Sequence, residues 1–191
     1  MAYHGIPCSP IVARYRYGAQ GQRLKLGADV ELFLSTIVNK LDKKGRVSVP
    51  ASFRAVLSGQ RFYGIIVYPS FVNPAIEGCG FDRMERISAG IDQFDPFSEE
   101  RDAFAVSILS NSYQLPFDSE GRIMLPQVLA DHANLSDRVA FVGLGSTFQI
   151  WNPEKFEIFE REARDRARSD RNVFRMQKES APSASKTERG T

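Results

Sequence analysis

Asp42-Lys43-Lys44-Gly45-Arg46-Val47-Ser48-Val49-Pro50 stands in the first half of the chain, and Asp118-Ser119-Glu120-Gly121-Arg122-Ile123-Met124-Leu125-Pro126 stands in the second. Matching positions, from Asp42/Asp118 through Gly45/Gly121 and Arg46/Arg122 to Pro50/Pro126, are all 76 residues apart. A constant offset of this kind reads as one structural unit used twice. Aspartate opens a tight turn by accepting a backbone N–H two residues on, and glycine supplies the positive φ that closes it.

Strand patterns flank both turns. Ile37, Asn39 and Leu41 precede the first and Tyr113, Leu115 and Phe117 the second, each spaced by two. After the glycine, Val47/Val49 and Ile123/Leu125 alternate again, which turns Arg46 and Ser48 to the opposite face. Pro50 and Pro126 then suit the first turn of a helix. Further out, Phe53, Val56 and Leu57 form the apolar side of a short helix that Ser58-Gly59 stops. Residues 62–68 and 75–80 read as strands, and Phe81, Met84, Ile87 and Ile91 are spaced for an amphipathic helix. Asp95-Pro96 opens a connecting helix with Phe97, Phe104 and Ile108 as its apolar stripe. The second unit keeps the order: a short helix over 126–133, a hairpin about Gly145-Ser146, and a helix from Asn152-Pro153 that carries Phe156 and Phe159.

The fold class predicted is α+β, with two tandem ββαββα repeats. Neither copy has strands enough to hide both sheet faces and edges, so the two are expected to pack as one pseudo-twofold body. Residues 1–28 read as a disordered basic leader and 29–92 as the first repeat. A connecting helix over 93–111 leads to the second repeat with its C-terminal helix, 112–168, and then a disordered tail, 169–191. The leader carries Arg14, Arg16, Arg23 and Lys25 without an acidic residue. It reads as an extension outside the fold or as an arm adding phosphate contacts.

With 191 residues, 42% of them hydrophobic and 14 of them Phe, the chain can build a packed core. A net charge of +2 is too small to imply nucleic acid by itself, so the placement of charge has to carry that reading. Cys8 and Cys79 offer neither a disulfide framework nor metal spacing. No apolar run approaches the roughly 18–20 residues of a membrane span, and the N-terminus lacks the apolar stretch of a signal peptide. A soluble intracellular protein is expected. His4 and His132 stand apart, and no Gly-rich phosphate loop or nucleophile elbow is present. No catalytic residue, metal or cofactor is therefore expected, and no enzyme.

The first turn, Asp42 to Pro50, resembles the AbrB-type swapped-hairpin DNA-binding fold. Two such units in one chain, supported by Phe141-Val142-Gly143 and Phe148-Gln149-Ile150-Trp151, resemble the MraZ family of bacterial transcriptional regulators over roughly residues 33–167. The resemblance implies two AbrB/SpoVT-like repeats forming a pseudo-twofold β-barrel with peripheral helices. It also implies a cytoplasmic, nucleoid-associated regulator of the operon for cell division and cell-wall synthesis. Its partners would be double-stranded DNA, at short tandem promoter repeats, and other copies of itself in a ring-shaped homo-oligomer. The basic leader and Glu120, which stands where the first turn has Lys44, depart from the pattern.

Charge separates the two turns. Lys40 to Arg46 holds four cations and one anion, a net of +3, whereas Gln114 to Arg122 nets −1. Arg46 can offer a bidentate fork to guanine or phosphate, and Lys40, Lys43 and Lys44 act as point charges on the backbone. Arg122 is the symmetry partner, and Arg54 on the following helix is a weaker candidate. Asp42, Gly45, Asp118 and Gly121 are turn-formers. Arg46 and Arg122 have a second reading, as ties to their own aspartates. Two other functions stay open: an AbrB-type antitoxin, and a ring-forming scaffold without specific DNA binding.

Overall fold

The alternating apolar positions become strands and the apolar stripes become helices in the computed structural model, which describes residues 32–169. The expected leader and nearly all of the expected tail lie outside the described residues. The first series of elements is β1 (Thr36–Lys40), β2 (Arg46–Ser48), α1 (Ala51–Val56), β3 (Gly64–Pro69), β4 (Ile76–Cys79) and α2 (Phe81–Ile91). After α3 (Glu99–Phe104) and a π-helical turn at Ala105–Ser110, the order recurs. It runs β5 (Tyr113–Pro116), β6 (Arg122–Met124), α4 (Gln127–His132), β7 (Arg138–Gly143), β8 (Phe148–Trp151) and α5 (Pro153–Ser169).

The two series exchange strands. β1 pairs antiparallel with β7, from Thr36↔Val142 to Lys40↔Arg138, and β5 pairs with β3, from Gly64↔Pro116 to Val67↔Tyr113. The resulting six-stranded sheet has the order β1-β7-β8-β4-β3-β5. β2 and β6 leave it and form a two-stranded sheet of their own.

The expected barrel does not close. β1 and β5 are the edges of the large sheet, and a single Leu41↔Val47 bridge links β1 to the ribbon. Three-residue strands have few backbone groups to share, and beyond the bridge a side chain takes over. Asn39 Nδ2 donates to the Ser48 carbonyl at 2.6 Å, filling the place of a continuing ladder.

One core lies between the ribbon and one face of the sheet. Phe33, Phe53, Phe141 and Phe148 meet there with ring centroids 4.9–6.2 Å apart. Val47 and Ile123 of the ribbon, Ile65, Val67, Ile76 and Ile150 of the sheet, and Leu129 of α4 complete it. Each such side chain, taken out of water, contributes about 1.5–3 kcal/mol before chain entropy is counted. α5, α2 and the π-helical turn cover the other sheet face. Phe156 and Phe159 of α5 lie 5.8 and 4.8 Å from the Trp151 ring, whose indole N–H donates to Gln149 at 2.8 Å. Ile91 of α2 and Ile108 of the π-helical turn cover Tyr68, and burial pushes the Tyr68 hydroxyl up to about 12.

The connecting segment differs from expectation. Ser98, accepting the Arg101 N–H at 3.2 Å, caps α3 and leaves Phe97 outside it and 97% exposed. The π-helical turn then shifts the side-chain period, so of the expected stripe only Ile108 is buried. Pro50 and Pro126 are N-cap residues, one position before the first helical turn.

Candidate nucleic-acid interface

Each turn is built on one aspartate. Asp42 Oδ1 accepts the N–H groups of Lys44 at 2.8 Å and Arg46 at 2.9 Å, and Oδ2 accepts Arg46 Nε at 2.7 Å. Gly45, at φ +79°, closes the turn by donating to the Asp42 carbonyl at 3.0 Å. Asp118 takes the N–H groups of Glu120 and Arg122, both at 2.9 Å, and Arg122 Nε at 2.8 Å. Gly121 sits at φ +73°. The N–H of Arg46 is the main reason the Asp42 carboxyl lies below the usual carboxylate range, and that of Arg122 does the same for Asp118. Both aspartates are therefore held as anions by three donors each from their own turns.

The ribbon sets the two arginines on one surface. β2 and β6 pair as Arg46↔Met124, Val47↔Ile123 and Ser48↔Arg122. Val47 and Ile123 are buried, so the alternating partners Arg46, Ser48, Arg122 and Met124 occupy the opposite, outer face. Arg46 and Arg122 are diagonal neighbours on that face, about 7–8 Å apart at the backbone. Just outside the ladder, Leu125 N–H donates to the Gly45 carbonyl and Val49 N–H to the Gly121 carbonyl, tying each turn to the opposite strand.

The arginines differ in what they hold. Arg122 engages Asp118 through Nε and Glu120 through an Nη nitrogen at 2.7 Å, and its acidic partners hold it firmly protonated. Among the described residues Arg46 is bonded by its side chain to Asp42 alone, through Nε. Neither of its Nη groups forms an ion pair among the described residues, the side chain is partly exposed, and Lys43 and Lys44 at the turn tip and Lys40 on β1 are exposed. Tying the turn and presenting a fork are thus compatible roles for Arg46, because different nitrogens serve them.

Arg54 lies elsewhere than the sequence order suggests. Its Nε donates to the Val49 carbonyl at 3.2 Å, and its guanidinium lies 2.5 Å from where a β-carbon on Gly121 would stand. It packs against the second turn and braces it. Two residues that the sequence did not single out as site candidates also belong here. Asn39 fastens β1 to the ribbon, and Arg138 on β7 stands directly opposite Lys40. Only the strand exchange reveals the second, since the pair is 98 residues apart in the chain.

Comparison with known proteins places relatives beside this geometry. A family model described as "MraZ protein, putative antitoxin-like" matches residues 108–179. A Pelagibacter ubique (strain HTCC1062) protein named Transcriptional regulator MraZ is 54% identical over 147 residues, covering 77% of this chain and 95% of its own length. A protein of the same name from Rickettsia canadensis (strain McKiel) is 51% identical over 130 residues, 68% of this chain and 87% of its own. Another, from Rickettsia bellii (strain OSU 85-389), is 47% identical over 147 residues, 76% and 98% of the two chains.

Proposed function

The chain belongs to the MraZ family, and from that premise we propose that it is a sequence-specific DNA-binding transcriptional regulator. The observation that carries the proposal is the ribbon: two arginines, Arg46 and Arg122, on one outer face of a two-stranded element whose other face is core. A two-stranded ribbon is one of the elements that B-DNA's major groove admits, and an arginine fork matches guanine O6 and N7 there. Relatives at about half identity are named transcriptional regulators, which agrees with this use.

In this reading Arg46 reads a base, Arg122 supports it from the second turn, and Lys40, Lys43 and Lys44 meet phosphates. Arg54 adds positive charge behind the second turn. Asp42, Gly45, Asp118 and Gly121 hold the two turns in shape. Residues 29–92 and 112–168 act as two AbrB-like repeats around the connecting segment 93–111. The target is a set of short tandem repeats upstream of the division and cell-wall operon, met in the cytoplasm on the nucleoid. One ribbon makes too few contacts for a specific site, so several copies in a ring combine weak contacts into one strong one.

The test is anisotropy on duplexes from upstream of its own operon and on scrambled controls, across salt concentrations. Wild type is expected to prefer the native duplex and to weaken steeply with salt. Arg46→Ala is expected to lose that preference, worth about 1–3 kcal/mol per guanine fork, while keeping its circular dichroism. Equal weak binding of wild type to both duplexes would overturn the proposal in favour of a scaffold or an antitoxin.

A further inference from the structure

Lys40 of β1 and Arg138 of β7 are directly opposed in an antiparallel ladder, and both are exposed. Like charges in that relationship repel and weaken the sheet. Neither forms an ion pair among the described residues; the neighbouring Asp137 carboxylate is instead bonded by the Ser136 hydroxyl at 3.2 Å. The pseudosymmetric pair on the other side of the ribbon is Gly64↔Pro116, which carries no charge at all. A destabilising pair present on one side only has a physical reason if an external anion neutralises it.

The register says where such an anion would lie. Leu41 bridges Val47, so one step along the antiparallel direction Lys40 stands beside Ser48, and Ser48 stands opposite Arg122. Arg138, Lys40, Ser48 and Arg122 therefore form one transverse row across β7, β1, β2 and β6. Followed across the strands, its ends are three strand spacings apart, about 14 Å of contour, comparable with the major groove's width of about 12 Å. With the ribbon in the groove, Arg138 is two strands outside it and stands over the groove lip, where the backbone runs.

We infer that Arg138 is a further DNA-contacting residue, which with Lys40 clamps the phosphate backbone on the β1–β7 side of the ribbon and supplies affinity without sequence preference. The inference rests on the DNA-binding reading above. It gives the interface a direction: the protein holds the duplex by its phosphates on the β7 side and offers no charge at the Gly64–Pro116 pair on the other.

The experiment uses the full chain, the duplex from upstream of its own operon and the scrambled duplex, with Arg138→Thr, Arg138→Lys and Arg46→Ala beside wild type. Arg138→Thr is expected to weaken both duplexes by the same factor and to make the slope of log affinity against log salt shallower by about 0.9, the value of one phosphate contact. Its unfolding temperature is expected to equal or exceed that of wild type, because a repulsion has been removed. Arg138→Lys is expected to restore the slope. An unchanged slope and affinity in Arg138→Thr, while Arg46→Ala still loses its preference, would refute the clamp and leave the DNA-binding reading standing. A drop in unfolding temperature that Arg138→Lys does not reverse would also refute it. Absence of salt-dependent binding in wild type would remove both.

Discussion

Leu125 donates its backbone N–H to the Gly45 carbonyl at 2.8 Å, and a β-carbon placed on Gly45 would stand 2.9 Å from the Leu125 carbonyl. The first turn is thus docked backbone to backbone on the strand that follows the second. At Gly121 the docking differs, because the nearest obstacle to a β-carbon is the movable guanidinium of Arg54.

Gly45→Ala is therefore expected to cost more than Gly121→Ala. Both incur the left-handed backbone penalty of about 1–2 kcal/mol, but only Gly45→Ala must also push a backbone carbonyl away. Urea denaturation of the two variants measures the difference. Equal losses would mean that the turns are docked alike.

Glu120 restrains the second arginine through its 2.7 Å contact with an Nη nitrogen. Glu120→Gln removes a negative charge from the outer face and loosens that hold on Arg122. It is expected to bind duplex DNA more tightly at low salt, with a steeper salt dependence, and to change folding little. Affinity unaltered at every salt concentration would place the second turn away from the DNA.

Acid should loosen both turns. Asp42 and Asp118 have folded-state values below their ordinary 3.8, first because of the Arg46 and Arg122 N–H groups respectively. A depressed carboxylate stabilises the fold above its unfolded-state value and loses that contribution as pH falls through the folded-state value. Stability should then decline as pH drops below about 3.8, and the Asp42→Asn/Asp118→Asn double variant should show a shallower decline. Unfolding temperatures recorded between pH 2 and 6 test this, with parallel curves as the contrary result.

Phe53 is fully buried and touches Phe33, Phe141 and Phe148. Phe53→Ala is expected to cost about 3–5 kcal/mol, the transfer term plus the cavity. That is a large share of the roughly 5–15 kcal/mol that holds a domain together. Chemical denaturation should show it, and a loss below about 1 kcal/mol would imply that the aromatic cluster collapses to refill the space.

Local chemistry was legible from the sequence. The Asp-x-x-Gly-Arg spacing is enough to specify a turn, since aspartate, glycine and the intervening N–H groups lie within five residues and satisfy one another. The alternation of Val47/Val49 and Ile123/Leu125 was enough to place Arg46 and Arg122 on an outer face. The two units, 76 residues apart, announced themselves because a repeat needs no three-dimensional information to be seen. Where local periodicity broke, reading along the chain failed: the Ser98 cap left Phe97 outside α3 and in solvent, and the π-helical turn at Ala105–Ser110 shifted the rest of the stripe.

Only the tertiary structure decided which strand lies beside which. Nothing near Lys40 in the chain points to Arg138, and nothing near Gly121 points to Arg54, because strand exchange and helix docking join residues that the chain keeps far apart. The same exchange left β2 and β6 as a separate ribbon, with β1 and β5 as edges of an open sheet. Closure depends on how many backbone groups remain after the turns and the Asn39 side chain have taken theirs. Sequence patterns record which face of a strand is apolar. They do not record which N–H groups are left for a neighbour, and that remainder shaped the surface on which the two arginines stand.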